Sequence, residues 1–214
     1  MRDLRTALTW VVEGTALCRL AIDGLDATSY GAPSLLPGWT RGHVVAHLAG
    51  NAEAIGNLLH WARTGEPTPM YSSPEQRGAT IESGAALPGD RLTAWFEQSA
   101  QALVESMAAL TEQQWQAEVV TAQGRTVPAS ETPWMRGREV MVHAVDLGTG
   151  VRFADLPEAF LAELRDDILA KRGRDVVPAV HGSPAEVTAY LAGRPFTGVT
   201  TPDGAPAEPL APWL

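Results

Sequence analysis

Residues 133–150 read PWMRGREVMVHAVDLGTG and constrain the fold more than any other stretch. Glu139 and His143 lie four residues apart in a helical pattern. At 3.6 residues per turn their side chains stand one above the other, and Asp146, three residues after His143, falls on nearly the same line. Met135 and Val142 border that face on one flank, Val140 and Leu147 on the other. Three ionisable groups are thus set inside an apolar frame. Burying them is costly unless they are paired or bound to a metal. Such a helix needs other helices to cover its frame and to supply partners for its charges.

The upstream sequence provides those helices. Leu4, Leu8, Val11, Val12, Thr15, Leu17 and Ile22 recur at helical spacing over 3–24, and Gly24 closes that helix. Leu36–Thr40 (LPGWT) is a turn with Thr40 as N-cap, followed by a second helix to about residue 63. Its apolar stripe is Val44, Leu48, Ile55, Leu58 and Leu59, with histidines at 43 and 47. On a helical wheel, His47 lies roughly 70° from the stripe centre and His43 roughly 110°. His47 is therefore nearer the interior, and His43 belongs at the boundary. His60, near the helix end, suits the C-terminal dipole. Residues 64–90, rich in Pro, Gly and Ser, are expected to form a long connection. A third helix spans about 88–110, with Leu92, Trp95, Phe96, Leu103, Met107 and Leu110 apolar. Val119 and Val120 suggest a short extended piece, Gly124 a turn and Pro128 a break. Ser130 or Thr132 can cap the helix of the first paragraph, with Pro133 in its first turn.

Past residue 150 the character changes. PEAFLAELRDDILAKR and SPAEVTAYLAG read as helices, the second with a Ser183–Glu186 capping box. DVVPAVH and TGVTT read as short strands, and a Pro-rich tail ends in Trp213 and Leu214, which suggests docking rather than disorder. The expected fold is mainly α: a four-helix bundle over 1–150 with a small C-terminal α/β domain over 151–214.

Net charge is −9, with 16 basic and 25 acidic residues, which disfavours nucleic acid and anionic membrane surfaces as partners. No apolar run reaches membrane-spanning length, and MRDLRTALTW lacks a signal-peptide core. A cytoplasmic monomer is expected. The single cysteine, Cys18, cannot form an internal disulfide and reads as a small buried apolar side chain, since no activating base accompanies it.

Glu139, His143 and a histidine from a partner helix make a His/Glu/His set. Imidazole and carboxylate suit Zn²⁺ and related ions, and three protein ligands leave one position open, as catalytic sites require. The plain alternative is a buried ion pair with no metal. Asp146 is either a fourth ligand or a group that orients a ligand imidazole. Arg125 is an anion-binding candidate or a solvated loop charge.

The stretches GWTRGHVVAHLAGNAEAI, GEPTPMYSSPEQR, TAQGRTVPASETPWMRGREVMVHAVDLG and AGRPFTGVTTPDG together resemble the mycothiol-dependent maleylpyruvate isomerases, within the wider DinB-like metal-binding four-helix proteins. The resemblance implies Zn²⁺ held by His47, Glu139 and His143, a C-terminal domain that closes the cleft, and an Arg194 important for activity. It implies conversion of maleylpyruvate to fumarylpyruvate in gentisate degradation, with mycothiol as thiol cofactor. A thiolate adding to the cis C=C bond leaves a single bond that rotates, and elimination returns thiol and trans product. Arg194 would then pair with a carboxylate of the dianionic substrate. A mycothiol S-transferase of the same scaffold and a non-catalytic metal- or thiol-binding stress protein are the alternatives.

Overall fold

The computed structural model describes residues 3–213. Among them lie eight α-helices and one two-stranded hairpin. The chain divides into two compact units between Thr149 and Gly150.

The first unit is built on four long helices: α1 (Leu4–Asp23), α2 (Arg41–Thr64), α4 (Gly89–Ala108) and α6 (Thr132–Asp146). Helix α1 packs on α6, α4 on α2, and α2 on α6. Val11, Ile55, Leu58, Leu59, Leu103 and Met107 meet in one buried cluster. Leu58 is fully buried, and each such aliphatic side chain contributes about 1.5–3 kcal/mol relative to exposure. Helices α1 and α6 approach closely because Gly14 has no side chain: a Cβ there would stand 2.4 Å from Val140 Cγ2. Trp10 and Trp134 seal the same interface edge to face, 5.5 Å between ring centres.

Thr40 caps α2 as its position predicts. Its hydroxyl accepts from the His43 N–H, and its own N–H donates to His43 Nδ1 at 3.2 Å. Gly65 ends the helix in the left-handed region at φ 78°. The cap expected at Ser130 or Thr132 is absent. A 3₁₀ turn, Ala129–Glu131, runs straight into α6, Glu131 holds the N-cap position with helical angles, and the Thr132 hydroxyl donates back to Ala129 O at 2.7 Å.

The connection expected over 64–90 contains a further helix, α3 (Pro74–Ala85). Ser73 caps it by accepting from the Gln76 N–H, and Pro74 fills its first turn. Only Ile81 and Gly84 of α3 are buried, so it has almost no apolar stripe to reveal it. A one-turn helix, α5 (Glu112–Trp115), leads to strands β1 (Glu118–Val120) and β2 (Thr126–Pro128), paired antiparallel with Val119 opposite Val127.

The second unit holds α7 (Glu158–Arg172) and α8 (Pro184–Leu191), which pack on each other. The two strands expected here reduce to isolated bridges, His181 with Thr200 and Thr200 with Pro206. Val176, placed in the first of those strands by its sequence, is 79% exposed and has no ladder to join. The tail is docked within this unit: Trp213 is buried, its N–H donates to Ala192 O at 3.3 Å, and Lys171 Nζ lies 5.3 Å from its ring centre. Leu214 lies outside the described residues.

Candidate metal centre

Helix α2 brings His47 to α6, where Glu139 and His143 stand one turn apart. Glu139 Oε2 lies 2.8 Å from His47 Nε2 and 3.3 Å from His143 Nε2. One ligand atom from each residue falls within 4.8 Å of the other two. The imidazole planes are perpendicular, with centres 4.9 Å apart, so their nitrogens converge on the carboxylate rather than stack. His47 and His143 are buried, and the Glu139 side chain keeps 18% exposure. His43 points elsewhere, into its cap and toward Glu82 at 3.3 Å.

The rings are held differently on their far sides. Asp146, wholly buried, places Oδ2 2.9 Å from His143 Nδ1, which fixes that ring with Nε2 toward Glu139. At His47, Arg77 Nη2 lies 3.3 Å from Nδ1. An arginine only donates, so Nδ1 accepts and Nε2–H donates to Glu139. Trp39 meets the same ring edge to face at 5.6 Å.

The electrostatics follow from these contacts. Burial pushes Glu139 up, but hydrogen bonds from His143 and His47 outweigh it and hold the carboxyl well below its usual range. Burial pulls His143 down, but Asp146 and Glu139 overcome it and raise the ring to about 9. Burial lowers His47, only partly offset by Glu139. The cluster therefore carries an ionised carboxylate, a neutral His47 and a protonated His143 at neutral pH.

The donor set fits a divalent ion. Zinc bonds of about 2.0–2.2 Å to imidazole and carboxylate need ligand atoms a few ångströms apart, and Glu139 Oε2 already stands 2.8 Å and 3.3 Å from the two Nε2 atoms. His143 is already oriented for coordination through Nε2. At His47, coordination through Nε2 would put the ring proton on Nδ1, in place of the Arg77 contact.

Arg136, one turn before Glu139, escaped the sequence reading. It is fully buried, and its Nη1 donates to Leu48 O at 2.7 Å and Asn51 Oδ1 at 2.8 Å, bracing α6 against α2. Burial lowers it to about 10, still charged at neutral pH. The signal available was its i, i+3 spacing from Glu139 on the same face. Asn51, which it holds, borders a cavity of about 280 Å³ whose wall includes His47, Tyr71, Gln76, Arg77 and Thr80.

The remaining candidates lie away from this cluster in the sequence. Arg125 is exposed on the turn of the β1–β2 hairpin. Arg194, in the second unit, is 6% exposed just after α8; its N–H donates to Ala189 O at 2.9 Å and its Nη1 to Ala192 O at 3.0 Å. Cys18 is buried between α1 and α6, where its thiol donates to Val140 O at 3.0 Å and burial pushes it up to about 12. That removes it as a nucleophile. No helix among the described residues is long and apolar enough to cross a membrane.

The model of the mycothiol maleylpyruvate isomerase N-terminal domain matches residues 12–148. Among solved structures, the chain is similar to the crystal structure of the mycothiol-dependent maleylpyruvate isomerase. Identity is 40%, 98% of this chain and 97% of that chain are covered, and the TM-score is 0.91. The crystal structure of a histidine-to-alanine mutant of that enzyme gives the same 40% identity and TM-score of 0.91. No curated protein sequence matches the chain significantly. A domain match over most of the length, and a full-length structural match at this identity, mean that the chain belongs to the mycothiol maleylpyruvate isomerase family.

Proposed function

We propose that this chain catalyses cis–trans isomerisation of maleylpyruvate to fumarylpyruvate, with mycothiol as thiol cofactor, at a zinc ion held by His47, Glu139 and His143. One observation carries the reading: a convergent His/Glu/His cluster, with His47 lining a cavity, in a chain that matches the mycothiol-dependent maleylpyruvate isomerase over 98% of its length.

The reaction requires the cis C=C bond to lose double-bond character, which reversible addition of an external thiolate supplies. A zinc ion held by His47, Glu139 and His143 would supply Lewis acidity, lowering the pKa of a bound thiol or polarising a substrate oxygen. The chain's own residues prepare that site. One carboxylate and two neutral imidazoles leave a divalent ion with net positive charge, which favours an anionic partner. Asp146 keeps the His143 ring in one orientation and makes it a stronger donor. Val140 and Val142, beside these ligands on α6, are both buried. Cys18, with its thiol at about 12, cannot replace the external cofactor. In the second unit Arg194 is assigned a role in turnover on the family resemblance, as a donor to a substrate carboxylate.

Turnover of maleylpyruvate with limiting mycothiol tests the reading. An isomerase regenerates the thiol, so conversion runs to completion. An S-transferase of the same scaffold consumes it and stops when the thiol is spent, and a non-catalytic metal or thiol binder converts nothing. Absence of mycothiol-dependent loss of maleylpyruvate by zinc-loaded protein sinks the proposal.

A further inference from the structure

The cavity beside the cluster contains a cation that the metal site does not explain. Arg77 projects from the first half of α3 into the wall shared with His47, and it is half-buried. Its contacts among the described residues are the His47 ring nitrogen and Tyr71, over whose ring Cζ lies at 5.8 Å from the centre. None of these is a carboxylate. The carboxylate that does border the cavity, Glu53, is engaged by the Trp95 indole N–H at 2.6 Å.

The groups around Arg77 are hydrogen-bonding ones. Tyr71 shares the cavity wall with Asn51, and Asn51 is itself held by the buried Arg136. Burial raises the Tyr71 hydroxyl above its ordinary value, so it remains an O–H donor at neutral pH. Gln76 and Thr80 add an amide and a hydroxyl to the same wall. A guanidinium whose planar fork faces a pocket, flanked by neutral donors and lacking an acidic partner, matches a carboxylate. At about 280 Å³ the cavity lies just below the range for drug-sized ligands and suits a small acid. A metal held through His47 Nε2 would take away the acceptor at Nδ1 and leave the Arg77 N–H groups to the cavity.

We infer that Arg77, with Tyr71 and Asn51, forms the subsite that binds one carboxylate of a small dianionic acid beside the metal cluster. The inference rests on the isomerase reading only for the identity of that acid. Arg77 is here a binding residue, and its loss raises KM rather than removing the reaction.

The test uses zinc-loaded protein and maleate, a dicarboxylate that lacks the keto group, with binding followed by calorimetry. Replacing charge-assisted hydrogen bonds by a neutral side chain weakens binding about 10- to 100-fold. Arg77→Gln is expected to weaken maleate by that factor, to raise KM for maleylpyruvate in parallel, and to leave zinc content unchanged. Binding of the neutral diamide of maleate is expected to stay the same in both proteins. Arg77→Lys keeps the charge without the fork and serves if the glutamine variant does not fold; a smaller weakening, about fivefold or more, is expected. Equal maleate affinity in wild type and whichever variant folds overturns the inference. Turnover with Arg77-independent maleate binding overturns the subsite and leaves the reaction standing. Arg77-dependent maleate binding without turnover overturns the reaction and leaves the subsite.

Discussion

Asp146→Asn separates two opposed effects of one contact. Asp146 Oδ2 lies 2.9 Å from His143 Nδ1 and the side chain is wholly buried. The contact orients the ring and makes it a better ligand, and losing such a partner costs about 10- to 100-fold in metal affinity. The same contact, with Glu139, raises His143 to about 9 against the pull of burial. A ligand imidazole must be deprotonated, so at pH 7, two units below that value, the proton weakens metal binding by about 100-fold. Asparagine keeps the shape and an acceptor oxygen for Nδ1–H while deleting the charge. The variant loses ligand quality and sheds proton competition together. Near pH 7 its zinc affinity should therefore stay within about tenfold of wild type, whereas at pH 9.5 wild type should lead by about 10- to 100-fold. Competition against a chromophoric chelator from pH 6 to 9.5 measures this. The wild-type log affinity should climb by about one per pH unit up to about 9 and then level, and the variant should level earlier. Two parallel curves with a constant offset would refute the reasoning, because Asp146 would then not set the proton affinity of His143. In metal-free protein the sign is reversed. A raised histidine pKa stabilises the fold fully below the unfolded value of about 6.5, and this contribution is lost as pH rises through about 9.

Other perturbations test other links. Gly14→Ala places a Cβ 2.4 Å from Val140 Cγ2, beside Glu139, and overpacking of about 1–3 kcal/mol should exceed the gain of roughly 1 kcal/mol in helix propensity. A urea midpoint above wild type would contradict that tight crossing. His43→Ala should keep zinc and lose about 1 kcal/mol of cap stability, whereas His47→Ala should lose zinc; elemental analysis that finds both depleted would place His43 in the site. The Cys18 thiol should resist disulfide reagents in folded protein and react on unfolding, because burial pushes it up to about 12; rapid labelling of the native state would contradict its placement.

The four long helices were legible because each carries an apolar stripe at helical spacing, and α2 has in Thr40 a working cap. The choice of His47 over His43 was legible for the same reason: a few tens of degrees on the wheel separate a ring that meets Glu139 from one that caps its own helix. Helix α3 was not legible. Its face is almost wholly polar, and the Ser73–Pro74 start signal sits in a segment whose Pro, Gly and Ser content reads as loop. Arg77 was hidden with it, since a lone arginine in a loop gives no hint of a partner on α2. Arg136 was missed because burial of a charged side chain depends on carbonyl and amide partners from α2, which are tertiary; its i, i+3 spacing from Glu139 marks the face but not those partners. The strands expected after residue 172 failed for a related reason. β-branched residues such as Val176 favour strands only where a neighbouring strand covers them.

The most direct test of the whole account is to strip the protein of metal and titrate it with zinc while following mycothiol-dependent conversion of maleylpyruvate. Activity should rise linearly, saturate at one zinc per chain, and stay at background in the His143→Ala variant. Conversion that is independent of added zinc, or undiminished in that variant, would contradict the assignment of His47, Glu139 and His143 as the centre of the reaction.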